Sequence, residues 1–97
     1  MLRWSQRARA DLKAVYDYIA NDSPFNAKAV AREIHRRVAE LPSTPHIGRR
    51  VPELNDADIR ELHVPSWRVI YQLRGEDIYI VTLVHRRQEP TAATLRG

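Results

Sequence analysis

Arginine recurs in the part of this sequence that is predicted to form β-strands, between Gly48 and Arg87. Strands that only had to fold would place apolar residues on one face and mixed, small polar and charged residues on the other. A guanidinium instead forks onto phosphates and carboxylates and stacks on flat rings. The pattern therefore predicts a surface for an anionic partner, with five arginines as candidate binding residues: Arg49, Arg60, Arg68, Arg86 and Arg87.

Two further side chains would complete a set that can cleave an RNA phosphodiester bond without a metal ion. Such a reaction needs a base, an acid and cations around the crowded phosphate. Glu53 and His85 are the candidate base or acid, and Arg60 and Arg68 are the candidate cations. Tyr71 could stack on a nucleobase, but it follows the apolar alternation of its strand, which favours a place in the core.

The same residues also have structural interpretations. Glu53 is then a loop carboxylate paired with Arg49 or Arg60, and Arg60 and Glu61 are ion-pairing groups on the sheet surface. Two other histidines are predicted to be exposed and are given no role: His46 and His63.

Composition limits the class of protein and the kinds of site. A chain of 97 residues makes one domain, with residues 90–97 predicted to be a C-terminal tail. The absence of cysteine excludes disulfides and cysteine-based zinc sites, and the histidines are scattered, so we expect neither a metal nor a cofactor. No segment approaches the roughly 18–20 apolar residues that span a bilayer, and no signal-peptide core follows Met1. We expect a cytoplasmic protein.

Two helices are predicted in the first half of the chain. Residues 1–4 are short and apolar, which suits an edge strand, and Ser5 can cap a helix that runs to about Asn21. Ser23 and Pro24 start a second helix that ends near Leu41. The short link predicts an antiparallel helix hairpin, with apolar stripes of Ala8, Leu12, Val15, Tyr16 and Ile19, and of Ala27, Val30, Ala31, Ile34, Val38 and Leu41.

Three strands are predicted at 59–64, 67–74 and 78–85, the last two joined by a tight turn around Gly75. The last strand is apolar on both faces and is therefore predicted to be interior. Arg68 falls on the mixed face of its strand, where a carboxylate or a partner must meet it. The order β-α-α-β-β-β predicts an α+β fold in which the helix hairpin packs on one face of a small antiparallel sheet and leaves the other face open.

The net charge of +4 makes an anionic partner plausible by itself, although the excess of arginine over lysine could also come from a GC-rich genome. The order and spacing of the short motifs add a more specific signal. The chain resembles the RelE/ParE superfamily of toxins from bacterial type II toxin–antitoxin modules over nearly its whole length, through Trp4, Ala10-Asp11-Leu12, Tyr18-Ile19-Ala20, Ser23-Pro24, Ala27, Leu41, Pro45, Gly48-Arg49, Val51-Pro52-Glu53-Leu54, Arg60-Glu61-Leu62, Trp67-Arg68-Val69-Ile70-Tyr71 and His85-Arg86-Arg87.

The resemblance implies a growth-inhibiting toxin of the kind found in plasmid-stabilisation modules, neutralised by a cognate antitoxin whose disordered tail folds on binding. RelE-like members are ribosome-dependent mRNA endoribonucleases, whereas ParE-like members are not enzymes and poison DNA gyrase. The sheet region lacks the lysines common in RelE-like nucleases, and the segments Val51–Leu54 and His85–Arg87 look more like the ParE branch. The resemblance therefore favours a gyrase inhibitor, with a ribonuclease as the alternative and a non-toxic nucleic-acid-binding module as a weaker one.

Overall fold

The computed structural model describes residues 1–87, so the predicted tail at 90–97 lies outside the described residues. The elements in chain order are β1 (Leu2–Trp4), α1 (Gln6–Ala20), α2 (Pro24–Ala39), β2 (Arg49–Arg50), β3 (Ile59–Val64), β4 (Trp67–Arg74) and β5 (Asp77–His85). The predicted α+β class is confirmed, and the short strand β2 is an addition to the predicted order.

The two helices begin at the residues that the sequence predicts. The Ser5 hydroxyl accepts a hydrogen bond from the Ala8 amide at 2.9 Å, and the Ser23 hydroxyl accepts one from the Asn26 amide at 3.1 Å. Pro24 occupies the first turn of α2, where a missing N–H costs nothing. Both caps satisfy amides that the first turn of a helix leaves without partners.

The strands form one five-stranded sheet in the order β1-β5-β4-β3-β2, which places β5 inside it and β1 at an edge, as predicted. The expectation of an antiparallel sheet holds for every pair except β1 and β5, which run parallel. Parallel strands must be joined by a long crossover connection. Here the segment between β1 and β5, which includes the helix hairpin, forms that connection. Gly75 begins the β4–β5 turn with a φ of 59°, a value that glycine adopts without strain.

The main core lies between the helices and the sheet. It contains buried side chains from both helices and from β3, β4 and β5: Ala8, Ile34, Val38, Leu41, Leu62, Val64, Val69, Tyr71, Leu73, Ile78, Ile80 and Leu83. Neither helix within residues 1–87 combines the length and the apolar character that a membrane-crossing helix needs.

The sequence suggests that the second face of the sheet is open, but in the structure this face is covered. Ile70 is fully buried there and packs with Val51 and Val81, which are 0% and 7% exposed. Leu54 and Ile59 pack against the same cluster, because the loop between β2 and β3 folds back over this face. We call residues 51–58 the strap. Val51 and Leu54 of the strap cover apolar side chains of β4 and β5 that would otherwise be exposed to water.

Candidate functional site

Arg68 lies beneath the strap and is paired with two carboxylates. Its two terminal nitrogens donate to the two oxygens of Glu53 at 2.9 and 2.8 Å, and its Nε donates to Glu61 Oε2. The Arg68 side chain is 5% exposed and that of Glu61 is 0% exposed. This two-pronged arrangement is the strongest way in which an arginine binds a carboxylate, and it joins β4, β3 and the strap.

Glu61 is the centre of this cluster, because two further cationic or ionisable groups reach it from the surface. Arg49 Nε donates to Glu61 Oε1 at 2.7 Å, and His63 Nε2 lies 3.3 Å from the same oxygen. Burial alone would raise the pKa of Glu61, but the hydrogen bonds from Arg68 and Arg49 outweigh it and lower that pKa below its usual value. Glu61 is therefore a buried carboxylate that stays ionised.

The pairing decides what Glu53 and Arg68 can do chemically. The hydrogen bonds from Arg68 hold the pKa of Glu53 below its usual value, which weakens this carboxylate as a proton acceptor. The hydrogen bonds to Glu53 contribute most, and together with the bond to Glu61 they raise the pKa of Arg68 above its usual value. The Arg68 guanidinium already donates to two carboxylates, whereas an arginine that binds a phosphate needs donors that are open to the ligand. The alternative prediction that Arg68 meets a carboxylate is confirmed.

Arg60 lies on the opposite side of the sheet from Arg68. It stands directly across from Tyr71, whereas Arg68 stands across from His63, and the two positions point to different faces. Arg60 donates to the carbonyl oxygens of Gly48 at 2.9 Å and Ala57 at 3.1 Å. The expected pairing of Glu53 with Arg49 or Arg60 is wrong, because Arg68 is the partner of Glu53 and Arg60 bonds to backbone.

Tyr71 occupies the core, as its alternation with apolar residues predicts, and its ring is fully buried. Its hydroxyl donates to the Pro45 carbonyl at 2.8 Å and accepts from the Gly48 amide at 2.9 Å. Burial raises the pKa of the Tyr71 phenol, so it remains protonated. A Cβ on Gly48 would stand 2.6 Å from the Glu61 carbonyl and the Tyr71 hydroxyl, so the close approach requires glycine.

His85, Arg86 and Arg87 lie together at the end of β5. His85 stands across from Trp67 on β4, and the two rings meet edge to face with their centroids 5.3 Å apart. The Arg86 amide donates to the Ser66 carbonyl at 2.8 Å, which fixes the start of the turn. The side chains of Arg86 and Arg87 are exposed, as a binding role requires.

The structure therefore separates the four candidate nuclease residues. Glu53 and Arg68 meet under the strap, whereas Arg60 and His85 belong to strand positions on the helix side. The histidines predicted to be exposed, His46 and His63, are exposed. In the part of the chain that the structure describes, no three histidine, cysteine or acidic side chains come together as metal ligands would.

Comparison with known proteins assigns the family. The family model described as the ParE toxin of type II toxin–antitoxin systems, parDE, matches residues 2–90. The chain belongs to the ParE toxin family. It is 35% identical over 83 residues to Toxin RelE2 of Caulobacter vibrioides, covering 84% of this chain and 90% of that protein. A solved chromosomal ParDE TA system from P. aeruginosa superposes with a TM-score of 0.71 at 25% identity, covering 87% of this chain and 92% of the other.

Two polar groups of this ParE-family toxin have roles that the sequence did not indicate. Glu61 was predicted at the surface, yet it stands across from Ile70, which puts it on the same face as Arg68. Asp11 of α1 accepts hydrogen bonds from the Thr82 hydroxyl and from the Leu83 amide, the latter at 3.2 Å, and so fastens α1 to β5. Only the strand register could have revealed the first of these, because the register decides which residues share a face.

Proposed function

We propose that this ParE-family toxin inhibits DNA gyrase as a binding protein and that a cognate antitoxin neutralises it. The observation that supports this function is the position of Arg68. Its guanidinium is held by Glu53 and Glu61, away from Arg60 and His85, so the residues for metal-free RNA cleavage do not form one site. A binding protein needs no such set, and family membership supplies the expected target.

The proposed antitoxin partner has its own support. The superposed P. aeruginosa structure is of a ParDE toxin–antitoxin system, and the chain here spans most of the matched protein in it. The net charge of +4 favours association with an acidic segment. Exposed arginines at both ends of the strand region offer the corresponding contacts: Arg49, Arg86 and Arg87.

The test is a supercoiling and cleavage-complex assay with purified toxin, DNA gyrase and ATP. We expect loss of supercoiling and an accumulation of broken DNA, both prevented when the antitoxin is added first. Gyrase that supercoils normally at saturating, folded toxin would refute the proposal.

A charge-matched pair of variants locates the contact. Arg86→Ala with Arg87→Ala removes two exposed cations at the end of β5, and we expect the toxin concentration for half-inhibition to rise roughly tenfold. Arg7→Ala with Arg32→Ala removes the same charge from exposed helix positions and should inhibit like the parent. Equal inhibition by both double variants would remove Arg86 and Arg87 from the contact. Arg68 is left out because its side chain is 5% exposed.

The similarity to Toxin RelE2 favours a second candidate function, that of an mRNA endoribonuclease. A ribosome-dependent mRNA endoribonuclease would cleave transcripts in toxin-expressing cells before any response to DNA damage. His85→Gln should slow that cleavage if His85 acts as the acid or base. Intact transcripts during growth arrest would exclude this alternative.

A further inference from the structure

Two arginines stand directly opposite each other at the outer edge of the sheet. Strand β2 is the last strand on that side, and its Arg50 pairs with Arg60 of β3 in the antiparallel register. Opposite residues of such a pair point to the same face, with their Cβ atoms about 5 Å apart. Like charges in this position repel each other and destabilise the sheet. We call these two residues the arginine pair.

The chain does not neutralise the arginine pair with its own carboxylates. In the part of the chain that the structure describes, no ion pair includes either member. The acidic residues closest in sequence are Glu53 and Glu61, and both bind Arg68 beneath the strap. Asp56 of the strap accepts a hydrogen bond from the Asp58 amide at 2.9 Å instead. The repulsion within the pair is therefore left for an anion from outside the chain to relieve.

The arginine pair also has hydrogen-bond donors to offer such an anion. Arg60 is held in place by backbone, because its Nε donates to the Ala57 carbonyl at 3.1 Å and its Nη1 to the Gly48 carbonyl at 2.9 Å. Among the described residues, nothing accepts from its Nη2. Arg50 is exposed, and its bond from Nη2 to Asn55 Oδ1 is 3.4 Å long. One oriented guanidinium thus stands beside one that is open to solvent.

This arrangement suits a phosphate better than a carboxylate. The two oxygens of a carboxylate lie in one plane and match the fork of a single guanidinium, as Glu53 matches Arg68. A phosphodiester is tetrahedral, so its oxygens can accept from two guanidinium groups that approach from neighbouring strands. Arginine is a common donor to phosphate oxygens in protein–DNA complexes. The net charge of +4 favours the approach of a polyanion such as DNA to the sheet edge.

We propose that the arginine pair binds a backbone phosphate of the DNA on which gyrase acts, separately from the gyrase contact at Arg86 and Arg87. The phosphate accepts from Arg60 Nη2 and from Arg50, and its charge relieves the repulsion between them. Because the contact involves only the DNA backbone, it carries no base specificity. The phosphate site follows from the geometry, whereas the choice of DNA as its source rests on the proposed function.

Binding of the purified toxin to a short fluorescein-labelled DNA duplex measures this contact without gyrase. Fluorescence anisotropy at a series of salt concentrations gives the affinity and its salt dependence. We expect Arg50→Ala to weaken binding roughly fivefold, equally for duplexes of different sequence. The slope of the logarithm of the binding constant against the logarithm of salt concentration should become shallower by about 0.9, the value for one phosphate contact.

Arg36 provides the matched control. It is an exposed arginine of α2, but Glu33 and Glu40 of this chain already neutralise it at 2.7 and 2.8 Å. Arg36→Ala removes the same formal charge as Arg50→Ala, so the two variants feel the same change in long-range attraction to DNA. We expect Arg36→Ala to bind the duplex within about a factor of two of the parent, with an unchanged salt slope.

A charge reversal separates loss of the contact from loss of the fold. Arg50→Glu places a carboxylate opposite Arg60, which occupies the phosphate site and replaces a repulsive cross-strand pair with an attractive one. We expect DNA binding to fall below that of Arg50→Ala, while the midpoint of thermal unfolding is no lower than in the parent. Arg32→Glu makes the same reversal at an exposed position of α2 and should weaken binding less.

The outcomes separate this inference from the proposed function. A parent toxin that does not bind the duplex, or equal binding by Arg50→Ala and Arg36→Ala, would overturn the inference even if the toxin inhibits gyrase. Binding through Arg50 by a toxin that leaves supercoiling unchanged would support the phosphate site and refute the proposed function. Tighter binding to single-stranded RNA than to the duplex would overturn the choice of DNA. Arg50→Ala that keeps DNA binding and loses only the antitoxin would assign the pair to an acidic peptide and overturn the inference.

Discussion

Among the single residues, Arg68 has the environment least expected of its type, because its side chain is 5% exposed. A guanidinium is costly to bury unless its charge is matched and its donors are satisfied. Glu53 and Glu61 supply both, and the more exposed Arg49 balances the second carboxylate. The four groups form one network, so the loss of Arg68 should cost more than the loss of any exposed arginine.

We predict that Arg68→Ala lowers the free energy of unfolding by about 3 kcal/mol, since it leaves Glu61 buried without its main counter-ion. Urea unfolding followed by circular dichroism measures this change. Arg50→Ala serves as the control, because Arg50 is exposed and its bond to Asn55 is 3.4 Å long, and it should change stability by less than about 0.5 kcal/mol. Equal stability of the two variants would mean that the network contributes little.

The network also predicts how stability depends on pH. The pKa values of Glu53 and Glu61 are lower in the folded protein than in the unfolded chain, where glutamate has a pKa of about 4.3. The stability that they contribute is therefore present above that value and is lost as the pH falls below it. We expect Glu53→Gln to be less stable than the parent at pH 7 and to approach it at pH 3, in urea unfolding at a series of pH values. A constant difference across that range would contradict the assignment.

Among the secondary-structure elements, those with local signals were predictable. Ser5 and Ser23 cap the helices, and the turn at Gly75 joins β4 to β5, because these features depend on neighbours only a few residues away. Strand β2 was missed, since two arginines have no periodicity and pair with β3 only when the chain has folded. The parallel pairing of β1 with β5 likewise depends on residues far apart in the sequence.

The candidate site was less predictable than the elements around it. Arg60 and Arg68 lie in strands that were predicted, but three of the five candidate arginines contact this chain's own carboxylates or carbonyl groups: Arg49, Arg60 and Arg68. Arg68 meets Glu61 only because β3 and β4 pair in one particular register, and it meets Glu53 only because the strap folds back. A sequence shows which side chains are charged, whereas the tertiary fold decides whether a partner or the protein neutralises them.

The hydroxyl of Tyr71 gives a prediction about the loop before β2. Tyr71→Phe removes the acceptor of the buried Gly48 amide and the donor to the Pro45 carbonyl. We expect a loss of about 1–3 kcal/mol in the free energy of unfolding and faster hydrogen exchange at the Gly48 amide. Tyr79→Phe, at a partly exposed position on β5, should leave that amide unchanged. Identical exchange in both variants would show that the loop does not depend on this hydroxyl.

In the molecule as a whole, one sheet supports two groups of buried side chains. Strand β4 contributes to both, since Val69 and Tyr71 face the helices while Ile70 packs with Val51 under the strap. A domain of this size has little stability to spare, and a shared strand leaves neither group able to persist without the other. The helix layer and the strap should therefore unfold together, although only the strap side contains the ion-pair network.

A small change under the strap tests this coupling. Ile70→Val removes one methylene from a fully buried position, and we predict a loss of about 1 kcal/mol. Far-ultraviolet circular dichroism reports mainly on the helices, whereas the methyl NMR signals of Val51 and Val81 report on the strap side of the sheet. In urea, both signals should shift to the same lower midpoint with an unchanged slope, as a two-state transition requires. If the methyl signals changed at a lower urea concentration while the helix signal stayed in place, the strap side would be a separate unit, and it could then open to a partner while the helix layer remains folded.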